Sequence, residues 1–305
     1  MQIKRRIQRI CANCNDLSIR TFCKPLEGGR ARPPGRYDRL VRTAVITGGS
    51  SGIGLAVARI LAQRGGWQIV LAARREDQLS TVAAELGAIA VRCDVTDDAD
   101  VAALVAEAAE AGGCELLVHA AGASARVNVL DAGVDAYRTA LETNYIGLVR
   151  VGTAFWPLLE AARGRFVPVV SVAGTVALAP AAPYGAAKAA ALSWSRSYGA
   201  AAREHGVAVT IVNPGPVATP GFPQTGLLRS RWGRLLVVDA ERCAERLLAA
   251  ADRRVPEVYV PQWWRVPAAF QGALPGITAR VAGRAWRHGA YPAPEPVPEP
   301  EAAPA

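Results

Sequence analysis

Lysine is nearly missing from this sequence: thirty-two arginines stand against three lysines, and Lys188 is the one lysine beyond position 24. Cysteine is scarce too. The six cysteines, at positions 11, 14, 23, 93, 114 and 243 of 305, are too few and too irregular for a disulfide scaffold, which points to a reducing, cytoplasmic compartment. Cys11 and Cys14 form half of a zinc motif, but no fourth cysteine or nearby histidine completes a set with them and Cys23, so no metal is expected. Long apolar runs are lacking, which argues against a secretory signal or a membrane span. What is present is a chain 51% hydrophobic and 20% charged, a balance that excludes wholesale disorder and suffices for one sizeable core.

The net charge of +9 is unevenly spread. Residues 1–42 carry eleven basic against three acidic side chains, 43–228 thirteen against fifteen, 229–290 eleven against five, and the tail adds three glutamates. A nucleic-acid-binding fold places its basic stripe on the folded domain, whereas the middle of this chain is almost neutral, so no nucleic-acid partner is expected. Residues 1–41 have no apolar periodicity. They are expected to be a loosely attached or disordered basic extension, or sequence upstream of a true start near Val41.

From Arg42 onward, short apolar runs alternate with Ala-rich helical stretches. Strands are expected at 43–47, 67–72, 89–93, 115–119, 165–171, 207–212 and 257–260, and helices at 53–64, 78–86, 98–111, 134–159, 183–205 and 239–250. The strands are continuous Val, Ile and Leu runs, as in strands buried on both faces. Helical connections throughout imply an α/β fold, a doubly wound parallel sheet of Rossmann type, forming a single domain over 42–262 with flexible N- and C-terminal extensions. Residues 263–290 differ in composition, with Trp263, Trp264 and Trp286 among arginines. That segment either caps the substrate side or a second subunit, the favoured reading, or lies on a membrane surface. Residues 291–305, all but exclusively Pro, Ala and Glu, read as an exposed tail.

Two sites carry chemistry. Directly after the first strand, Thr47-Gly-Gly-Ser-Ser-Gly-Ile-Gly54 runs into a helix. Glycines 48, 52 and 54 permit a tight turn and let a pyrophosphate reach the backbone, with the helix N-terminus facing the phosphates. Ser50, Ser51 and Ile53 complete this cradle. At the end of the second strand, where an NAD enzyme carries an acid for the ribose hydroxyls, stand Ala73, Arg74 and Arg75. A 2′-phosphate would meet guanidinium groups there, so NADP(H) is favoured, with NAD(H) left open. Asp94 and Val95, after the third strand, can address the adenine edge.

At the other site, Tyr184-Gly-Ala-Ala-Lys188 puts a phenol and an ammonium one helical turn apart. The ammonium favours the phenolate and brings the phenol toward a usable acid–base range. Ser171 ends the preceding strand, on the side of the sheet where ligands gather.

Together these residues resemble the short-chain dehydrogenase/reductase family, over about residues 43–260. The resemblance rests on the glycine turn, Asp94, His119-Ala-Ala-Gly122, Asn144, Ser171, Tyr184 with Lys188, and Asn213-Pro-Gly215 with Thr219. It implies an oxidoreductase in which Tyr184 is the acid/base and Ser171 polarises a substrate carbonyl. Lys188 would hold the nicotinamide ribose, and Asn144 would position a relay water. Ala120, Ala121 and Gly122 would lie along the cofactor, and Pro214, Gly215, Val217 and Thr219 would line the nicotinamide site. His119 stands where the family usually has Asn; a neutral imidazole can replace part of that pairing, so a structural role is expected.

The stretch between Ser171 and Tyr184 is uncharged, which suits a lipophilic carbonyl or alcohol substrate. Residues 220–232 fall where the family has a substrate-covering loop. Family members are often oligomers, so a homo-oligomer is expected. The competing reading is a noncatalytic dinucleotide-binding sensor or scaffold, which would need only the glycine turn.

Overall fold

The apolar runs become the strands of a parallel sheet in the computed structural model, which describes residues 41–280 apart from 126, 178–180, 220–223, 230 and 232–235. The expected basic extension up to residue 40, positions 220–223, 230 and 232 of the substrate-covering loop, Trp286 and the tail lie outside the described residues.

Strand and helix alternate strictly at first: β1 (Arg42–Thr47), α1 (Gly52–Arg64), β2 (Trp67–Ala73), α2 (Glu76–Leu86), β3 (Ile89–Arg92), α3 (Asp98–Glu110) and β4 (Leu116–His119). Then come α4 (Val134–Leu141), a π turn (Glu142–Ile146), α5 (Gly147–Ala154), α6 (Trp156–Ala162) and β5 (Arg165–Pro168). A 3-10 turn (Val172–Gly174) leads to the long α7 (Ala182–Glu204), followed by β6 (Ala208–Val209) and β7 (Ile211–Pro214). The last elements are α8 (Thr225–Leu228), α9 (Ala240–Asp252), β8 (Glu257–Val260), a second 3-10 turn (Gln262–Trp264) and α10 (Arg265–Ala273).

The sheet order is β3-β2-β1-β4-β5-β6, and β7 pairs with β8, all in parallel. A bridge between Val169 and Val212 and a bond from the Thr210 amide to the Phe166 carbonyl (2.9 Å) carry the sheet on from β5 to β7. This is the doubly wound fold expected from the sequence. Alternate residues of one strand feed opposite cores. On β1, Ala44 and Ile46 pack with Leu61 of α1 and Leu247 of α9, while Val45 packs with Leu104 of α3 and Phe155 beyond α5. Both faces are therefore covered, which is why the strands read as unbroken apolar runs.

The helix expected at 134–159 is one helical path in three pieces. Pro157 lacks an N–H and sits in the first turn of α6, so the path is interrupted at Phe155 and begins again. The π turn upstream widens the helix around Asn144. Strand order reverses between β1 and β4, leaving a crevice at their carboxyl ends.

Candidate active site

The turn from β1 into α1 is shaped by atoms it lacks. Gly48 and Gly52 adopt φ of 69° and 57°, a region glycine enters without strain. A β-carbon on Gly48 would lie 2.8 Å from the Ala120 backbone, and one on Gly54 would lie 2.3 Å from the Gly48 carbonyl oxygen. Ser51 caps α1 without a side-chain hydrogen bond, and no acidic residue occupies its first turn. Main-chain N–H groups at the positive end of the helix dipole are thus left for an anion. A dinucleotide pyrophosphate fits this cradle of Gly48, Ser50, Ser51, Gly52, Ile53 and Gly54. Thr219 stands over it, its Cγ2 2.9 Å from where a Gly52 β-carbon would be.

Along the same edge, Arg74 pairs with Asp94 at 3.8 Å and remains largely exposed. The Asp94 carboxylate accepts from the amide (3.0 Å) and hydroxyl (2.8 Å) of Thr96. Burial works against its charge, but these bonds, followed by Arg74 and Arg92, hold its carboxyl below the usual range. Arg75 is the exposed residue preceding α2. Val95 is buried against Gly147 of α5. The structure therefore brings Ala73, Arg74, Arg75 and Asp94 together at the far end of the crevice.

Beneath the cradle, His119 Nδ1 and Thr47 Oγ1 share a buried bond of 3.0 Å. Burial, reinforced by the charge of Lys188, pushes the histidine down to about 3, so the imidazole is neutral. Its place in the sheet interior agrees with the structural role expected for it.

At the reacting end, Lys188 is 4% exposed and donates to the Val169 carbonyl at 3.1 Å. Its ammonium lies 5.7 Å from the centre of the Tyr184 ring. Desolvation pulls the amine down to about 8, so at neutral pH it still carries its charge. Among the described residues one of its three donors is used, by the Val169 carbonyl. Ser171 follows β5 with its hydroxyl accepting from the Ala173 amide at 3.1 Å. The 3-10 turn beyond it is pressed onto α7: a β-carbon on Gly174 would lie 2.6 Å from the Lys188 carbonyl oxygen, and one on Gly185 would lie 3.1 Å from that of Ala173. These two glycines, which sequence reasoning missed, bring Ser171 and the Tyr184–Lys188 helix face together.

Asn144, fully buried in the π turn, accepts from the Ala123 amide (3.2 Å) and donates to the carbonyls of Ala123 and Ala140 (both 3.1 Å). Both its amide hydrogens are spent on the backbone, which fixes the loop after β4. Gly122 lies between the two groups: its β-carbon would be 2.9 Å from Asn144 Oδ1 and 3.7 Å from Lys188 Nζ. Ala120, Ala121 and Gly122 thus run from the glycine turn to the lysine.

A family model described as short chain dehydrogenase matches residues 42–226. The chain belongs to the short-chain dehydrogenase family. Among its relatives, an oxidoreductase of Myxococcus xanthus is 33% identical, the match covering 81% of this chain and 98% of that protein. The cis-4-hydroxycyclohexanecarboxylate dehydrogenase of Sinomonas cyclohexanicum is 37% identical over 59% of this chain and 74% of its own length. A solved short-chain dehydrogenase from Burkholderia cenocepacia, in complex with NADP, superposes with a TM-score of 0.67 at 27% identity, covering 79% of this chain and 97% of that one. An actinorhodin polyketide ketoreductase with NADPH gives a TM-score of 0.65 at 26% identity, covering 72% and 95%.

This short-chain dehydrogenase has one further contact that the sequence pattern did not reveal. A β-carbon on Gly215 would lie 2.5 Å from Trp264 Nε1, so the indole stands over the Pro214–Gly215 turn. The indole nitrogen is buried without a partner among the described residues. Val217 is buried beside Val238 on the same side.

Proposed function

We propose that the protein transfers hydride between NADP(H) and the carbonyl or secondary alcohol of a lipophilic small molecule. The observation that carries this reading is the buried, charged Lys188 beside Tyr184, pressed by Gly174 and Gly185 against the turn that bears Ser171. The dinucleotide, when bound, supplies or accepts the hydride. Ser171 orients the substrate oxygen, and the Tyr184 hydroxyl gives it a proton in reduction and takes one in oxidation. Lys188 stabilises the phenolate and donates to the nicotinamide ribose. Asn144 holds the loop between them, and the second lone pair of its Oδ1 is what it can still offer a relay water.

The preference for NADP(H) is supported by Arg74 and Arg75 where an acid would mark NAD(H), and by the NADP and NADPH bound to the two solved relatives. A lipophilic substrate is supported by the uncharged residues between Ser171 and Tyr184 and by the Trp264 indole over Gly215. The proposal also places the enzyme in the cytoplasm as a homo-oligomer. Burial raises the thiols of Cys93 and Cys243 to about 12, and that of Cys114 higher still, so all three are poorly reactive.

Tyr184→Phe tests the reading. Turnover with NADPH across ketones and aldehydes of rising chain length is expected to fall by about a thousandfold or more, while NADPH binding followed by fluorescence persists. Full activity in this variant would sink the mechanism. Wild-type protein that binds NADPH yet reduces nothing would turn the reading to a noncatalytic dinucleotide-binding module.

A further inference from the structure

Beyond the crevice, the C-terminal segment exposes a band of large apolar side chains. Trp263, Val266, Phe270, Leu274 and Ile277 recur at intervals of three, four, four and three, and are 44%, 58%, 52%, 43% and 52% exposed. They are five of the ten large hydrophobic residues exposed among the described residues. Trp263 stacks on Trp264, with ring centres 4.4 Å apart, and so extends the band from the side chain that covers Gly215. Helical spacing is kept through α10, and hydrogen bonds from the amides of Ile277 and Thr278 to the Leu274 carbonyl resume it beyond the break. Among the described residues, no helix is long and apolar enough to cross a membrane.

Charge decides what can cover this band. No Asp or Glu occurs between Val258 and Pro294, while Arg265, Arg280, Arg284 and Arg287 do. A symmetric pairing of two copies through this face would bring arginines toward arginines with no acid in the segment to pair them. The chain's own tail from Tyr291 carries Glu295, Glu299 and Glu301 but is otherwise almost entirely Pro and Ala, so it has little to fill an apolar band. A bilayer surface with anionic headgroups offers both a hydrocarbon boundary for Trp, Phe and Ile and negative charge for Arg.

We propose that residues 263–280 dock this protein peripherally on an anionic membrane surface. The exposed apolar band enters the headgroup boundary, and Arg265 and Arg280 pair with lipid phosphates. Through Trp264 the docked segment adjoins Gly215, so the crevice opens near the bilayer. Docking does not depend on the catalytic reading.

The test is flotation of the full-length chain with phosphatidylcholine vesicles containing about a third phosphatidylglycerol, beside pure phosphatidylcholine vesicles. Wild type is expected to float with the anionic vesicles only. Phe270→Glu combined with Ile277→Glu is expected to weaken this binding by at least about tenfold at unchanged melting temperature, since both sites are exposed. Phe270→Ser is the milder variant should the pair fail to fold. Tyr184→Phe should float like wild type, which keeps vesicle binding and hydride transfer separately readable. Three results overturn the proposal: wild type that stays in solution, flotation undiminished in the double variant, which would assign binding to the basic residues 1–41, or a double variant that dissociates an oligomer without altering flotation.

Discussion

At the cofactor end of the crevice the decisive feature is the absence of side chains; at the reacting end it is side chains buried at a cost. A β-carbon on Gly54 would sit 2.3 Å from the Gly48 carbonyl oxygen, so what this turn can offer an anion is backbone N–H groups that glycine leaves accessible. Lys188, by contrast, is 4% exposed, and desolvation has drawn its amine down to about 8. A cradle of missing atoms fails by steric clash. A buried ammonium carries a stability penalty, and under the proposed mechanism that penalty serves the chemistry, so removing it should separate stability from activity.

The Tyr184→Phe loss should be the largest effect and should fall on turnover, not binding. Next comes Gly54→Ala, which attacks the other end. With backbone as its neighbour the added methyl has nowhere to go, and NADPH affinity measured by titration is expected to drop by roughly ten- to a hundredfold. Unchanged affinity would show that the pyrophosphate does not use this turn. Replacing both Arg74 and Arg75 by Ala should raise KM for NADPH by about tenfold and leave that for NADH nearly unchanged. Equal effects on the two cofactors would remove the assignment of these arginines to a 2′-phosphate.

Lys188→Met sharpens the contrast most. Activity should be lost, yet the variant should be more stable than wild type at pH 7 by about 1–2 kcal/mol, the relieved desolvation less the hydrogen bond to Val169. The sign follows from the lowered pKa. The unfolded chain holds its lysine proton up to about 10.5 and the folded one only to about 8, so wild type gains stability as pH rises through that window. The advantage of the variant should therefore shrink between pH 8 and 10.5, and urea unfolding across that range would show it. The smallest effect expected is from His119→Asn, within about 1 kcal/mol in the same assay, because the imidazole is already neutral and bonded mainly to Thr47.

Much of the fold is legible in the sequence. Apolar runs on β1, β2 and β4 read as strands because burial on both faces leaves no polar alternation, and the 47–54 turn read as a phosphate cradle because its glycines fall between a strand and a helix. Tyr184 and Lys188 were legible from helical spacing alone. The break at Phe155 has its cause in Pro157, which the apolar pattern running through 134–159 conceals. Gly174 and Gly185 left no such trace, since each matters through a backbone contact with the other's segment.

The sequence by itself determined the alternation of strand and helix, the glycine turn, and the pairing of a phenol with the one lysine of the folded region. These depend on neighbours within a turn or two, where spacing is geometry. Only the tertiary structure decided that Lys188 is desolvated, that Asn144 gives both amide hydrogens to the backbone, and that Trp264 reaches back over Gly215. Burial and long-range contact arise from segments far apart in the chain, and no local pattern of residues encodes them.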